Sequence, residues 1–128
     1  MAVSYAIDKE RKLVLSVGSG VLTKEDILAH QQRLLKDADF EPSFAQISNF
    51  TAVTETNLNA ADVRAIAAAT IFSARSRRAL LVSTNEQFEL GRMFASLREA
   101  HGEYGVRVFR DREEAMNWAL SMEASQHV

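Results

Sequence analysis

The chain has 128 residues, of which 47% are hydrophobic and 25% are charged, and its formal net charge is −2 at pH 7. These values are typical of one globular domain, which we place at residues 1–128. The absence of cysteine excludes disulfides, thiolate metal sites and thiol nucleophiles. Because the charge is nearly balanced and no apolar run is long enough for a membrane span, we expect neither nucleic-acid binding nor stable membrane insertion.

The first third of the chain predicts a hairpin followed by a helix. Apolar residues alternate with mostly polar ones on both sides of a charged turn at 8–12, which indicates two antiparallel strands. Gly18-Ser19-Gly20 predicts a bend or bulge at the end of the hairpin, since neither phosphate-binding glycine motif is complete there. Thr23 then caps a helix whose apolar residues continue at helical spacing to Ala38.

The rest of the chain alternates strands and helices, with 50–58 as the longest predicted irregular loop. The order β-β-α-β-α-β-α-β-α requires crossover connections. It therefore predicts an α/β fold, with a five-stranded mixed, mainly parallel sheet flanked by helices. Strands are predicted at 44–50, 77–83 and 106–109, and the helix caps are Asn59, then Ser83 or Thr84, then Asp111.

Three segments resemble the SpoIIAA-like small bacterial proteins. The most specific is FELGRMFASLREAHGEYGVRVFRDREEAMNWAL at 88–120, and GSGVLTKEDILAHQQRLL and ISNFTAVTET are similar to the same group. The resemblance covers nearly the whole chain in element order. It implies a fold related to the STAS domains of anti-sigma-factor antagonists and, more distantly, to lipid-carrying CRAL-TRIO domains. Independently of the resemblance, we expect a cytoplasmic protein. Members of the group are mostly of unknown function.

The STAS resemblance also implies a candidate phosphorylation site. The antagonists are phosphorylated on a serine or threonine in an Asp-Ser-x-Gly-like turn between a strand and the next helix. By element order this turn corresponds to 55–58, with Thr56 nearest the acceptor position. The chain departs from the motif, because Glu55 replaces the aspartate and the glycine is missing. Thr56 is therefore a possible phosphoacceptor by position only, with Thr54 as the alternative.

A candidate binding rim follows from the predicted topology. Ligands of open α/β sheets bind beyond the carboxyl ends of the strands, where helix N-termini can also hold an anion. Ordinary caps and turns are the alternative interpretation of the same residues. The candidate ligand or partner residues are Ser48, Asn49, Thr54, Thr56, Ser83 and Thr84.

Other clusters of polar residues do not indicate chemistry. His30, His101 and His127 lie far apart in the sequence without a second ligand at metal-binding spacing, and no serine lies in a nucleophile elbow. We therefore expect no catalytic residue, no metal and no cofactor. A basic cluster at 75–78 is interpreted as a solvated helix end, with a docking patch for an acidic partner as the alternative.

The leading functional hypothesis is a non-enzymatic regulatory or protein-interaction domain. Its partner would be another, unidentified protein or a second copy in a homodimer, since symmetric dimers are common. The alternative is a carrier or sensor of a small hydrophobic or anionic ligand. The distant CRAL-TRIO resemblance and the apolar residues Phe88, Met93 and Phe94 near one strand end favour this alternative.

Overall fold

A computed structural model describes residues 2–121, which form one five-stranded sheet. The strands are β1 Val3–Asp8, β2 Leu13–Thr23, β3 Ala45–Asn57, β4 Arg78–Leu81 and β5 Val106–Phe109. They lie side by side in chain order. β1 and β2 are antiparallel, and each later neighbouring pair is parallel. The predicted order of elements and the mixed, mainly parallel sheet are confirmed.

Within the described residues, four helices follow the strands. They are α1 Lys24–Leu35, α2 Ala60–Ala68, α3 Asn85–Glu99 and α4 Arg112–Leu120. Each begins after a residue whose side-chain oxygen accepts a hydrogen bond from a backbone N–H of the first turn, an interaction that typically contributes about 1 kcal/mol. The caps are Thr23, Asn59, Thr84 and Asp111.

The helices are divided unevenly between the two faces of the sheet. Neighbouring residues of a strand point to opposite faces, so the contacts of Leu13 and Val14 of β2 show which helices cover each face. Leu13 packs in a cluster with Ala115 and Ala119 of α4. Val14 packs with Leu34 of α1, and α2 lies between α1 and α3. Helices α1–α3 therefore cover one face, and α4 covers the other.

β2 and β3 are longer than the sequence predicted. Residues 50–57, expected to form a loop, continue β3 and pair in parallel with the end of β2. The loop prediction is wrong because threonine and valine suit extended backbone and β2 supplies a hydrogen-bonding partner. Register shifts at Val17/Ser19 and Gly20/Val21 confirm the expected bulge. Gly20 has φ +66°, a conformation that glycine adopts without strain.

The long strands extend beyond the rest of the sheet. β4 pairs only with residues 46–49 of β3, and β1 reaches only to Gly18 of β2. Residues 19–23 and 52–57 therefore form a two-stranded extension, which we call the ribbon. Leu22 and Val53 of the ribbon are buried in a cluster with Val3. This cluster holds the ribbon against the body of the protein on the side of α1.

Candidate functional site

A cavity of about 120 Å³ lies between the sheet and helices α1–α3. Its walls are mostly apolar. For comparison, an engineered apolar cavity of about 150 Å³ binds benzene, so this one has room for roughly six to eight non-hydrogen atoms. The apolar lining includes Ile27 of α1, Ile66 of α2, Phe94 of α3 and, from the strands, Phe50 and Leu80.

The sheet side of the cavity has a patch of polar residues, which we call the polar floor: Ser16, Gln46, Ser48 and Arg78. Ser16 lies opposite Ser48, and Gln46 lies opposite Arg78, in the register of β2, β3 and β4. Gln46 Nε2 donates a hydrogen bond to Ser16 Oγ over 3.0 Å. Ser48 is buried, and its hydroxyl has no partner among the described residues. The hydroxyl of Ser48 is therefore available as a donor or acceptor toward the cavity that the residue lines.

His30 of α1 contacts the polar floor from the helix side. Its Nε2 lies 2.9 Å from Ser16 Oγ, and its ring packs edge-on against Tyr5 with 5.5 Å between the ring centroids. Burial, together with the positive charge of Arg33, lowers the pKa of His30 to about 4, although a hydrogen bond with Gln31 opposes the shift. The ring is therefore neutral at pH 7, with one nitrogen that donates and one that accepts.

Arg78 also belongs to a buried ionic cluster with Arg98 and Glu103. Glu103 Oε1 accepts hydrogen bonds from Arg78 Nη2 and from Arg98 Nε, and its Oε2 accepts one from Arg98 Nη2 at 2.6 Å. Burial favours the neutral form of Glu103, but these bonds outweigh it and hold the pKa of the carboxyl below its usual value. Burial lowers the pKa of Arg78, yet arginine stays protonated in proteins. The cluster therefore contains two positive charges and one negative charge.

The two arginines differ in how well their donors are used. Arg98 Nη1 donates to the Ala67 carbonyl at 2.6 Å, near the end of α2, where the helix dipole favours a cation. Arg78 donates from Nη1 to Thr70 Oγ1 and from Nη2 to Glu103. The buried Nε–H of Arg78 has no acceptor among the described residues. The excess positive charge is therefore least compensated at Arg78, the arginine that lines the cavity.

The burial of Arg78 corrects one expectation from the sequence. The basic cluster was expected to be a solvated helix end, but Arg78 is only 3% exposed because it begins β4 on the cavity face. Arg77, its neighbour in the chain, points to the other face, where its guanidinium lies 3.9 Å from the ring centroid of Trp118. Of the three arginines, Arg75 alone is exposed.

The ribbon forms one wall of the cavity. Leu22 and Thr56 line it, as does Phe50 at the base of the ribbon. A Cβ atom added at Gly18 would lie 2.9 Å from Phe50 Cδ1, closer than real Cβ atoms approach. Glycine at this position therefore lets the Phe50 ring lie close to β2, where it lines the cavity.

Two of the residues proposed from the sequence line the cavity. Ser48 belongs to the polar floor, and Thr56 belongs to the ribbon wall. Thr56 lies within β3, opposite Leu22, and is half-buried. The region aligned with the phosphorylated turn of STAS antagonists is therefore extended as far as Asn57 in this chain.

The other four proposed residues lie outside the cavity lining. Thr84 caps α3 by accepting a hydrogen bond from Gln87 N at 3.1 Å, and the backbone N–H of Ser83 donates to Gln87 Oε1. Asn49 accepts two hydrogen bonds from within its own strand, and Thr54 is exposed on the ribbon. The structure thus brings Ser48 and Thr56 to one cavity but does not gather all six residues into a rim.

The residues that contribute most of the polarity in the cavity were not predicted from the sequence. Ser16, Gln46 and Arg78 occupy inward positions of three adjacent strands, and His30 lies opposite them on α1. A signal was present, because Ser16 follows Val14 at the two-residue spacing of one strand face, and Ser48 follows Gln46 in the same way. Polar residues at such positions usually indicate a solvent-facing side, so this spacing alone does not predict a buried polar patch.

No group of three or more potential metal ligands occurs within residues 2–121. His30 and His101 lie on different helices or their ends, and the His101 ring bonds to the Leu97 carbonyl. His127 lies outside the described residues. Within residues 2–121, every helix is too short or too polar to span a bilayer.

A solved structure resembles this arrangement over most of its length. It is the crystal structure of an uncharacterised protein of the DUF3478 family with a SpoIIAA-like fold, from Shewanella loihica PV-4. The match has a TM-score of 0.61 and covers 92% of this chain and 94% of that chain, at 17% sequence identity. The chain has a SpoIIAA-like fold. No family model and no curated protein matches the sequence, so the SpoIIAA-like fold, as the resemblance implied, is what these comparisons establish.

Proposed function

We propose that the protein binds a small, largely apolar molecule in the cavity under α1–α3 and does not transform it chemically. The observation that supports this proposal is a partly enclosed, mostly apolar space with a few polar groups gathered on one side. Small-molecule sites in proteins have this composition, with apolar walls that provide affinity and a few polar groups that fix orientation. This is the carrier or sensor alternative of the sequence analysis, which we assign to this cavity.

The contact between Ser16 and His30 does not favour an enzymatic interpretation. A nucleophilic serine needs a base that accepts its proton and a third group that stabilises the charged base. His30 has a pKa of about 4, which makes it a weak base. Besides Ser16, the side chain that hydrogen bonds to it is Gln31 rather than a carboxylate. We therefore infer that Ser16, His30 and Gln46 orient a ligand by hydrogen bonds.

Titration of the ¹⁵N-labelled chain with 1-hexanol tests the proposal. We expect the amide resonances of cavity residues such as Ile27, Ile66 and Leu90 to shift and saturate. The variant Ser48→Leu places an apolar side chain in the cavity, so it should abolish these shifts while the spectrum stays dispersed. Ser83→Leu is the matched control, because Ser83 is exposed and does not line the cavity.

The outcomes of this titration are distinct. Saturable shifts that Ser48→Leu removes and Ser83→Leu retains would support a binding cavity. Absence of saturable shifts in the unmodified chain, with hexanol and with toluene as a second probe, would contradict the proposal. Native mass spectrometry of the protein purified from its host provides independent support if a small apolar molecule remains bound.

A second candidate is the interaction role, for which one surface feature is relevant. Val17 and Val21 of β2 are 43% and 46% exposed, on the face of the sheet opposite the cavity. α4 packs on β3, β4 and β5, so it leaves this part of β2 uncovered. We propose a homodimer through this face in the bacterial cytoplasm. Sedimentation velocity should show a dimer that Val17→Lys dissociates, and a monomer at high concentration would contradict it.

A further inference from the structure

We propose that the cavity selects ligands with a carboxylate head group, held at Arg78 and Ser48, and with a short apolar tail. This inference rests on the proposed function and adds the chemical class of the ligand. It follows from three properties of the cavity: the charge of its lining, the free donors on the polar floor, and its volume.

The charge of the lining is one-sided. Among the lining residues in the described part of the chain, Arg78 is the one with a formal charge at neutral pH, since His30 is neutral and the lining includes no aspartate or glutamate. Behind Arg78, Glu103 is shared with Arg98, which leaves the buried cluster with an excess positive charge. Burying a cation without a full counter-charge is unfavourable, so an anion at this position would be stabilised.

The polar floor also has donors available to such an anion. Glu103 and Thr70 accept from two of the five N–H groups of Arg78, and its Nε–H has no acceptor among the described residues. The hydroxyl of Ser48 has no partner within residues 2–121, and Ser48 lies two residues along β3 from Gln46, which lies directly opposite Arg78. Gln46 donates one N–H to Ser16, and its amide has a second. A carboxylate accepts several hydrogen bonds and matches this excess of donors better than an alcohol or an amine.

The volume sets the size of the tail. A cavity of about 120 Å³ accommodates a molecule near the size of hexanoate. Helices α2 and α3 contribute apolar side chains to the cavity lining, including Val63, Ile66, Leu90 and Phe94. These surfaces would contact the tail and exclude water from it.

The test compares three six-carbon ligands at pH 7.5, hexanoate, 1-hexanol and hexylamine, by titration of the ¹⁵N-labelled full chain. We expect hexanoate to bind about ten-fold more tightly than hexanol, and hexylamine to bind most weakly. In Arg78→Met, which leaves Glu103 paired with Arg98, the advantage of hexanoate over hexanol should disappear. Arg78→Lys retains the positive charge and should keep part of the advantage. It also tests the proposal if the methionine variant does not fold.

The control is Arg107→Met, which removes one positive charge from an exposed residue outside the cavity. It should leave the hexanoate advantage unchanged, and an equal loss in this variant would show a general charge effect and overturn the inference. Equal or weaker binding of hexanoate than of hexanol to the unmodified chain would also overturn it, while the proposed function would stand. Binding of none of the ligands would contradict the proposed function itself.

Discussion

The two faces of the sheet differ in what they bury, although the same strands build both. On the side of α4, Leu13, Ala45, Ile47 and Ala79 pack against the alanines of the helix, and the cluster is apolar. On the side of α1–α3, the neighbouring residues Gln46, Ser48 and Arg78 are just as buried, but they are polar and adjoin a cavity. The contrast shows that the α4 face is packed for stability, whereas the other face gives up part of that packing for hydrogen-bonding groups.

The largest effect that distinguishes the faces should come from the ionic cluster. Glu103→Gln leaves Arg78 and Arg98 buried without a counter-charge, so we expect the free energy of unfolding to fall by about 3–5 kcal/mol. Urea denaturation followed by tryptophan fluorescence measures this loss. Asp8→Asn is the control, because the Asp8–Arg11 pair lies at the surface and its removal should leave stability nearly unchanged. A loss for Glu103→Gln no larger than for Asp8→Asn would mean that the cluster is not buried in solution.

The second-largest expected effect is a pH dependence of the free energy of unfolding, caused by His30 on the cavity face. The pKa of His30 is lowered from 6.5 to about 4, so its neutral form is favoured in the folded state. Its contribution to stability is complete above about pH 6.5. It is lost as the pH falls toward 4, by about 1.4 kcal/mol for each unit of the shift, because the unfolded chain binds the proton more readily.

Urea denaturation at intervals between pH 7.5 and 4 measures this dependence. His30→Gln can still hydrogen bond to Ser16 but does not titrate, so the fall in stability over this range should be smaller. His101→Gln changes an exposed histidine and should keep the slope of the unmodified chain. The contribution of Glu103 to stability is lost as the pH falls below about 4.5, the ordinary pKa of its carboxyl, because its pKa is lower in the folded state, so the slope above that pH is not due to Glu103. Identical slopes for both variants would contradict the assignment to His30.

The smallest effect compares the same kind of substitution on the two faces. Ala79 is fully buried beneath α4, and replacing it with leucine adds volume to a filled space, which should cost about 1–3 kcal/mol. Ser48→Leu adds comparable volume on the other face, where the cavity can accommodate it. We expect the stability of this variant to equal or exceed that of the unmodified chain. Thermal unfolding of both variants provides the comparison, and a larger loss for Ser48→Leu would mean that the cavity is not available.

Local signals in the sequence were sufficient to predict most of the fold. Thr23, Asn59 and Asp111 cap helices as predicted, since a cap depends on residues within one turn of itself. The extension of β3 to Asn57 was not predictable in this way, because its hydrogen-bonding partner lies about thirty residues earlier, at the end of β2. Pairing between residues so far apart in the sequence depends on how the whole sheet assembles and not on the local residue pattern.

The site was predictable only in part, for a similar reason. Ser48 and Thr56 were identified because they follow or end a predicted strand. Arg78 was not, because a charged residue is usually exposed and its carboxylate partner, Glu103, lies 25 residues away. Ser16 and Gln46 are polar residues at alternating strand positions, and their burial depends on the helices α1–α3 that cover this face.

In this cavity the polar groups come mainly from the strands and many of the apolar side chains come from the helices, which has an evolutionary consequence. The residues of the polar floor project from three hydrogen-bonded strands, whose ladder fixes their spacing. The opposite wall of the cavity consists of single apolar side chains from helices α1, α2 and α3. Each of these side chains can be exchanged without altering the hydrogen bonds between the strands. Substitutions in this helical wall would change which apolar tails fit the cavity. The proposed preference for a carboxylate head group would stay the same. Homologues with this arrangement are expected to diverge in chain length of the ligand before they diverge in its charge.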